Sequence, residues 1–287
     1  MRKIEEYNVR IISISSASID LTVLRSKDDR AIFEYEEVEE MDVSSHVIND
    51  EWRIKINRVK GRSIFSLLFD VPFWKTIRGF LHIPDRVEEL MLKTASGDVE
   101  MKGLSLKRVE LSSVSGDLRV ENSNLHELHM RSTSGNVKTR NTRIENMSLA
   151  SVSGDLQLDY LPRNFGYLRI STVSGDARIY VEGNEEIMVK KRSKFSDVSS
   201  NIPMRMVEHV PRGPEMRRYI EFSAVSGDLL LELRHGEEGG RHAGTEEYKI
   251  LELLKQGKIS RDFAIELLMN LGYSEEEANK FLSENER

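Results

Sequence analysis

From Val87 onward apolar and polar residues alternate, and the alternation itself recurs every 19 residues before stretching to 21 and then 52. Superposed, the repeats give apolar columns. Val87, Leu106, Leu125, Ile144 and Phe165 form one, Leu90, Val109, Leu128, Met147 and Leu168 a second, and Leu92, Leu111, Met130, Leu149 and Ile170 a third. After a short break follow Val99, Leu118, Val137, Leu156 and Ala177, then Met101, Val120, Thr139, Leu158 and Ile179. Alternation of period two predicts half-buried strands. The break between the two groups of columns is a tripeptide: Ser96-Gly97-Asp98, Ser115-Gly116-Asp117, Ser134-Gly135-Asn136, Ser153-Gly154-Asp155, Ser174-Gly175-Asp176 and Ser226-Gly227-Asp228. Each unit reads as strand, tight turn, strand, corner. The glycine column is expected at positive φ, where other residues are strained.

A unit this short cannot cover its own apolar face, so copies must stack, with like residues about 4.8 Å apart along the axis. The predicted class is therefore mainly β: a parallel β-solenoid, or β-helix, of about 19-residue coils with a small C-terminal α-helical module. The β-solenoid is expected over residues 1–234. It has an irregular N-terminal cap (1–85), regular coils (86–182), an insertion (183–218) and a last coil (219–234). In the cap, Ile11 to Ile14 and Ser18 to Val23 resemble a degenerate first coil with Ile19 in the glycine position. The insertion, with Lys190, Lys191, Arg192, Lys194 and three prolines, reads in part as loop. Residues 235–246, rich in Gly and Glu, read as a linker. In 247–287 the period becomes helical, with Ser260 as an N-cap and Ser274-Glu275-Glu276-Glu277 as a capping box.

Composition adds limits. The chain has 287 residues, 31 % charged and 39 % apolar, with net charge −6 and no cysteine. Disulfides and thiolate metal sites are excluded, and the mild negative charge argues against nucleic acid as a partner. The N-terminal residues show no secretory signal and no segment reads as a membrane-spanning helix, so a cytoplasmic location is expected.

The columns, the six turns and the stretch Leu81-His82-Ile83-Pro84 resemble the bacterial putative-adhesin family of unknown function, β-strand-repeat proteins with recurrent Ser-Gly-Asp turns. The likeness covers about Asn8 to Arg234. The tail from Ile250 to Ser260 is similar to a short helical module that accompanies some members. The resemblance implies interaction roles, such as envelope-stress sensing or assembly. It brings no catalytic residues.

The row Asp98, Asp117, Asn136, Asp155, Asp176 and Asp228 invites catalysis or cation binding. Acid–base chemistry needs two carboxylates in unlike environments, and a ladder gives each nearly the same one. The expectation is that these side chains cap their own turns by bonding the local backbone. His126 and His129 lack a third ligand and read as surface residues. The aromatic stretch containing Phe65, Leu68, Phe69, Phe73, Trp74 and Phe80 reads as a cap, with an interaction patch as the alternative. Outward positions such as Glu100, Arg119, Lys138 and Gln157 are mixed in sign, without an aromatic row. These features predict a non-catalytic scaffold for a protein partner or self-association, with no cofactor, metal or small-molecule ligand. A polysaccharide-acting β-helix and a sensor docking on a membrane surface are the alternatives.

Overall fold

In the computed structural model the described residues are 1–38, 41–58, 76–193, 195–209, 217–234, 250, 254, 260–270, 279 and 282. The chain divides into two units, Met1–Arg234 and His235–Arg287.

The first unit is mainly β. Its N-terminal strands are β1 (Arg2–Tyr7), β2 (Ile11–Ser16), β3 (Ile19–Arg25), β4 (Arg30–Tyr35), β5 (Met41–Ile48), β6 (Glu51–Arg58) and β7 (Ile77–Ile83). Five regular coils follow as strand pairs. They are β8 (Glu89–Ser96) with β9 (Val99–Lys102), β10 (Ser105–Ser115) with β11 (Leu118–Glu121), and β12 (Asn124–Ser134) with β13 (Val137–Arg140). The next two are β14 (Arg143–Ser153) with β15 (Leu156–Leu161), and β16 (Tyr167–Ser174) with β17 (Ala177–Val181). Beyond them lie β18 (Ile187–Lys191), β19 (Val198–Ser200), β20 (Met204–Met206), β21 (Tyr219–Ser226) and β22 (Leu229–Leu233).

The first strand of each coil joins one eleven-stranded sheet, in the order β20-β18-β21-β16-β14-β12-β10-β8-β2-β6-β5. The second joins another, β1-β4-β7-β3-β9-β11-β13-β15-β17-β22-β19. The regular pairs are parallel and in repeat register: Leu106 lies beside Leu125 and Leu125 beside Ile144, while Leu118 lies beside Val137 and Val137 beside Leu156. A slip of one residue would turn every apolar column outward, so the alternation fixes this register. One core fills the space between the sheets. In the column Val99, Leu118, Val137, Leu156, Ala177 and Leu229 no residue is more than 1 % exposed. Each aliphatic side chain there contributes roughly 1.5–3 kcal/mol by leaving water.

The coils do not stack in chain order at the ends. β2 and β3 pair with β8 and β9 on one side and with β6 and β7 on the other. Likewise β21 and β22 lie between β16–β17 and β18–β19. The stretch read from sequence as an insertion thus carries three strands among its described residues, and Ile187 and Val189 bury like any other rung. The sequence could not reveal this, because strand alternation says which face is apolar but not which neighbour covers it. At the N-terminal end β1, β4 and β5 run antiparallel to their neighbours, and buried Phe33 and Trp52 close the core.

In the second unit, α1 (Arg261–Asn270) begins at Ser260, whose Oγ accepts the Phe263 N–H at 3.2 Å, an N-cap. Ile250, Ala264, Leu268 and Leu282 form its buried cluster. The capping box at Ser274 and the 235–246 stretch fall outside the described residues.

Candidate functional site

The two ends of each coil's second strand make different corners. At the first, Gly97, Gly116, Gly135, Gly154, Gly175 and Gly227 all have φ between 102° and 130°. A Cβ on Gly116, Gly135, Gly154 or Gly175 would sit 2.3 Å from the carbonyl oxygen of the preceding coil's glycine, and one on Gly227 would sit 2.2 Å from that of Gly175. Glycine is needed here twice over, for the left-handed backbone and for the close approach of the coil beneath.

The following Asx residues form a continuous ladder. Oδ1 of Asp98 accepts the Asp117 N–H at 2.9 Å, Asp117 that of Asn136 at 2.9 Å, and Asn136 that of Asp155 at 3.0 Å. Asp155 then accepts from Asp176 at 3.0 Å, and Asp176 from Asp228 at 2.9 Å. The expected bond to the local backbone is therefore corrected: each side chain caps the turn of the next coil. At positive φ the turn directs its N–H along the stack, toward the neighbouring coil's side chain. The ladder has two rungs that sequence reading missed. Asp20 accepts the Asp98 N–H at 2.9 Å, and Asp228 accepts that of Asp197 at 2.7 Å. Ser18-Ile19-Asp20 and Ser196-Asp197 carried the signal, without the glycine. Arg119 bridges Asp98 and Asp117.

Just before the turn runs a buried hydroxyl column. Oγ1 of Thr94 donates to the Ser96 carbonyl at 2.6 Å and Oγ of Ser113 to that of Ser115 at 3.0 Å. Ser132, Ser151 and Thr172 have no partner for theirs.

The second corner was not singled out from sequence, although Gly103, Asn122 and Asn141 stand 19 apart. All three are left-handed, at φ 67°, 49° and 46°. Asparagine tolerates that region, and here a Cβ at Gly103 meets nothing within 4 Å. Asn141 Nδ2 donates to Asn122 Oδ1 at 2.9 Å. Behind them Ser123 Oγ donates to the Glu121 carbonyl at 2.8 Å and Thr142 Oγ1 to that of Arg140 at 2.9 Å. Outside this corner lie two adjoining cavities. One, of about 350 Å³, is lined by Gly103, Ser105, Asn122, Asn124, Arg143 and Tyr160 among others. The other, of about 400 Å³, reaches from Ser105 and Asn124 to Glu88, Lys107, His126 and Glu145. Burial, then the hydrogen bond to Glu182, raises the Tyr160 pKa, while the Arg163 N–H and the Tyr160 hydroxyl lower that of Glu182.

The outer faces differ too. On the second-strand sheet, long charged side chains pair along and across coils, as in Lys102 with Glu100 at 2.8 Å. On the first-strand sheet, next to the Ser-Gly-Asp corner, Val114, Val152, Val173 and Val225 are 46–62 % exposed in one column. Farther along, Glu221 is buried between Arg169 at 3.2 Å and Arg192 at 2.7 Å. Burial first, and Glu221 second among the raising influences, push Tyr167 up to about 12. Arg192, from the basic run, is thus part of this cluster.

Of the proposed patch, Phe80 is half-buried on β7, while Phe65, Leu68, Phe69, Phe73 and Trp74 lie outside the described residues, as does Lys194. His126 Nδ1 lies 2.8 Å from Glu145, and His129 Nε2 lies 2.9 Å from Glu127. Among the described residues no three ligating side chains gather around one point, and no helix is long and apolar enough to cross a membrane.

The family model described as Toastrack DUF4097 matches residues 83–231, more than half of the chain. The chain belongs to the Toastrack DUF4097 family. No curated protein matches it. This Toastrack chain is similar in fold to a putative adhesin from Bacteroides fragilis NCTC 9343, at 14 % identity and a TM-score of 0.51, over 80 % of this chain and 97 % of that one. A putative adhesin from Parabacteroides distasonis ATCC 8503 is similar at 12 % identity and a TM-score of 0.46, over 80 % and 95 % of the two chains.

Proposed function

We propose that this Toastrack protein is a non-catalytic scaffold, its coils forming one β-solenoid whose regular face binds a second copy of the chain. The single observation that carries this is the exposed column Val114, Val152, Val173 and Val225. Val152, Val173 and Val225 face solvent on three successive rungs, with Val114 beyond Thr133, and an exposed apolar strip of this kind marks an interaction surface. The neighbouring outward column mixes short side chains, Ser112, Ala150, Ser171 and Ser223, with the long cations Lys93 and Arg131.

The charges flanking the strip favour a second copy over another partner. On one side lie the exposed Lys93 and Arg131, and on the other the Asx ladder with Asp98 and Asp155. A two-fold axis parallel to the stack sets each copy's cations against the other's carboxylates, which is self-complementary. The non-catalytic part of the proposal rests on the ladder: its members make the same structural bond, leaving no unlike pair for acid–base work. A cytoplasmic location is also part of the proposal, tested by fractionating the native host.

Sedimentation velocity on the full chain tests the assembly. The wild type is expected to dimerise with rising concentration, and Val152→Lys with Val173→Lys to remain monomeric with an unchanged circular dichroism spectrum. A wild type that stays monomeric overturns the second-copy form. Affinity capture from the host, wild type against the double variant, then shows whether the strip serves a different protein.

A further inference from the structure

The short side between the sheets carries a second surface of different character. Across the second corner, outward and inward residues alternate in three successive coils. Leu104, Ser123 and Thr142, and then Leu106, Leu125 and Ile144, point inward and are buried. Between them three exposed columns face out: Gly103, Asn122 and Asn141; Ser105, Asn124 and Arg143; Lys107, His126 and Glu145. The cavities of about 350 and 400 Å³ share Ser105 and Asn124, so they form one groove across these columns.

We propose that this groove binds a neutral, hydroxyl-rich chain, an oligosaccharide. Its floor is made of short uncharged side chains, Ser105, Asn122 and Asn124, beside Gly103, and amides and hydroxyls both donate and accept as sugar hydroxyls do. Apart from Arg143, the charges of its walls are paired. Glu88 holds Lys107 at 2.8 Å and Arg10 at 2.6 Å, and His126 lies 2.8 Å from Glu145. An ionic ligand would have to displace these partners, whereas a neutral one leaves them in place. The polar groups recur at the strand spacing of about 4.8 Å, which suits a ligand that is itself a repeat. At the far end Tyr160, fixed by Glu182 at 2.9 Å and by Arg234 4.8 Å from its ring centre, adds an aromatic wall for the C–H face of a sugar ring.

This inference names a ligand class for the interaction role and rests on that reading only in taking the protein as a binder. The groove is separate from the valine column. Calorimetry on the full chain with chitotetraose, cellotetraose and maltotetraose tests it. At least one is expected to saturate a single site. Ser105→Arg, which fills the groove, and Asn124→Leu, which removes its central amide, are expected to weaken that binding at least tenfold with unchanged melting. Val152→Lys with Val173→Lys should bind like the wild type, so a failure here and a failure of self-association are distinguishable. Absence of saturable binding to all three sugars overturns the proposal, as does binding that both groove variants leave intact. Tighter binding of polyglutamate than of any of the sugars also overturns it.

Discussion

The two corners of a coil solve one problem in opposite ways. Both need a left-handed residue. At the Ser-Gly-Asp corner the coil below comes so close that only glycine fits, and a side chain one residue later supplies the bond between coils. At the second corner there is room for a Cβ at Gly103, so asparagine replaces glycine and the left-handed residue itself carries the bonding amide. The first corner therefore transmits register, while the second is free to vary and to present chemistry.

The largest expected effect is at the crowded corner. Gly135→Ala places a methyl against the Gly116 carbonyl oxygen at positive φ, and should cost about 4 kcal/mol, read as a fall in the urea midpoint. Gly103→Ala, at φ 67° instead of 124° and uncrowded, should cost only about 1 kcal/mol. Equal losses at the two positions would erase the distinction between the corners.

Next come the bonds between coils. Asp117→Ala leaves the Asn136 N–H to water and should cost about 1 kcal/mol. Asp117→Asn should change stability by less than about 0.5 kcal/mol, because Asn136 already makes the same bond without charge. A full loss in Asp117→Asn would mean that the ion pair with Arg119, and not the bond to the Asn136 N–H, is what holds the rung. At the other corner Asn141→Ala should cost about 1 kcal/mol, through the left-handed backbone.

The smallest effect sharpens the picture of the column behind the first turn. Ser151 Oγ is buried without a partner, and Ala224 occupies the same column two rungs farther on. Ser151→Ala should be neutral or stabilise by up to about 1 kcal/mol, whereas Ser113→Ala, which loses a bond to the Ser115 carbonyl, should destabilise by a similar amount.

Much of the regular middle was legible in the sequence. Alternation chose the inward face, and the repeat period gave the register of Leu118, Val137 and Leu156. The recurring glycine marked the turn. What stayed hidden depended on which coil lies next. Asp117 looks like a residue that caps its own turn, and only the neighbouring N–H shows otherwise. Ile187 and Val189 alternate like any strand, but their place beyond β21 is set by packing between segments distant in sequence. The cavities at Ser105 and Asn124 depend on how the outward side chains of neighbouring coils lie against one another, which alternation along one strand does not specify.

At the C-terminal end of the first unit β21–β22 are clamped between β16–β17 and β18–β19, so the last coil along the chain is not the last layer of the stack. Cutting the first unit back from Arg234 would withdraw an interior layer and open a gap, whereas β1 at the other terminus lies at the edge of its sheet and could be peeled away.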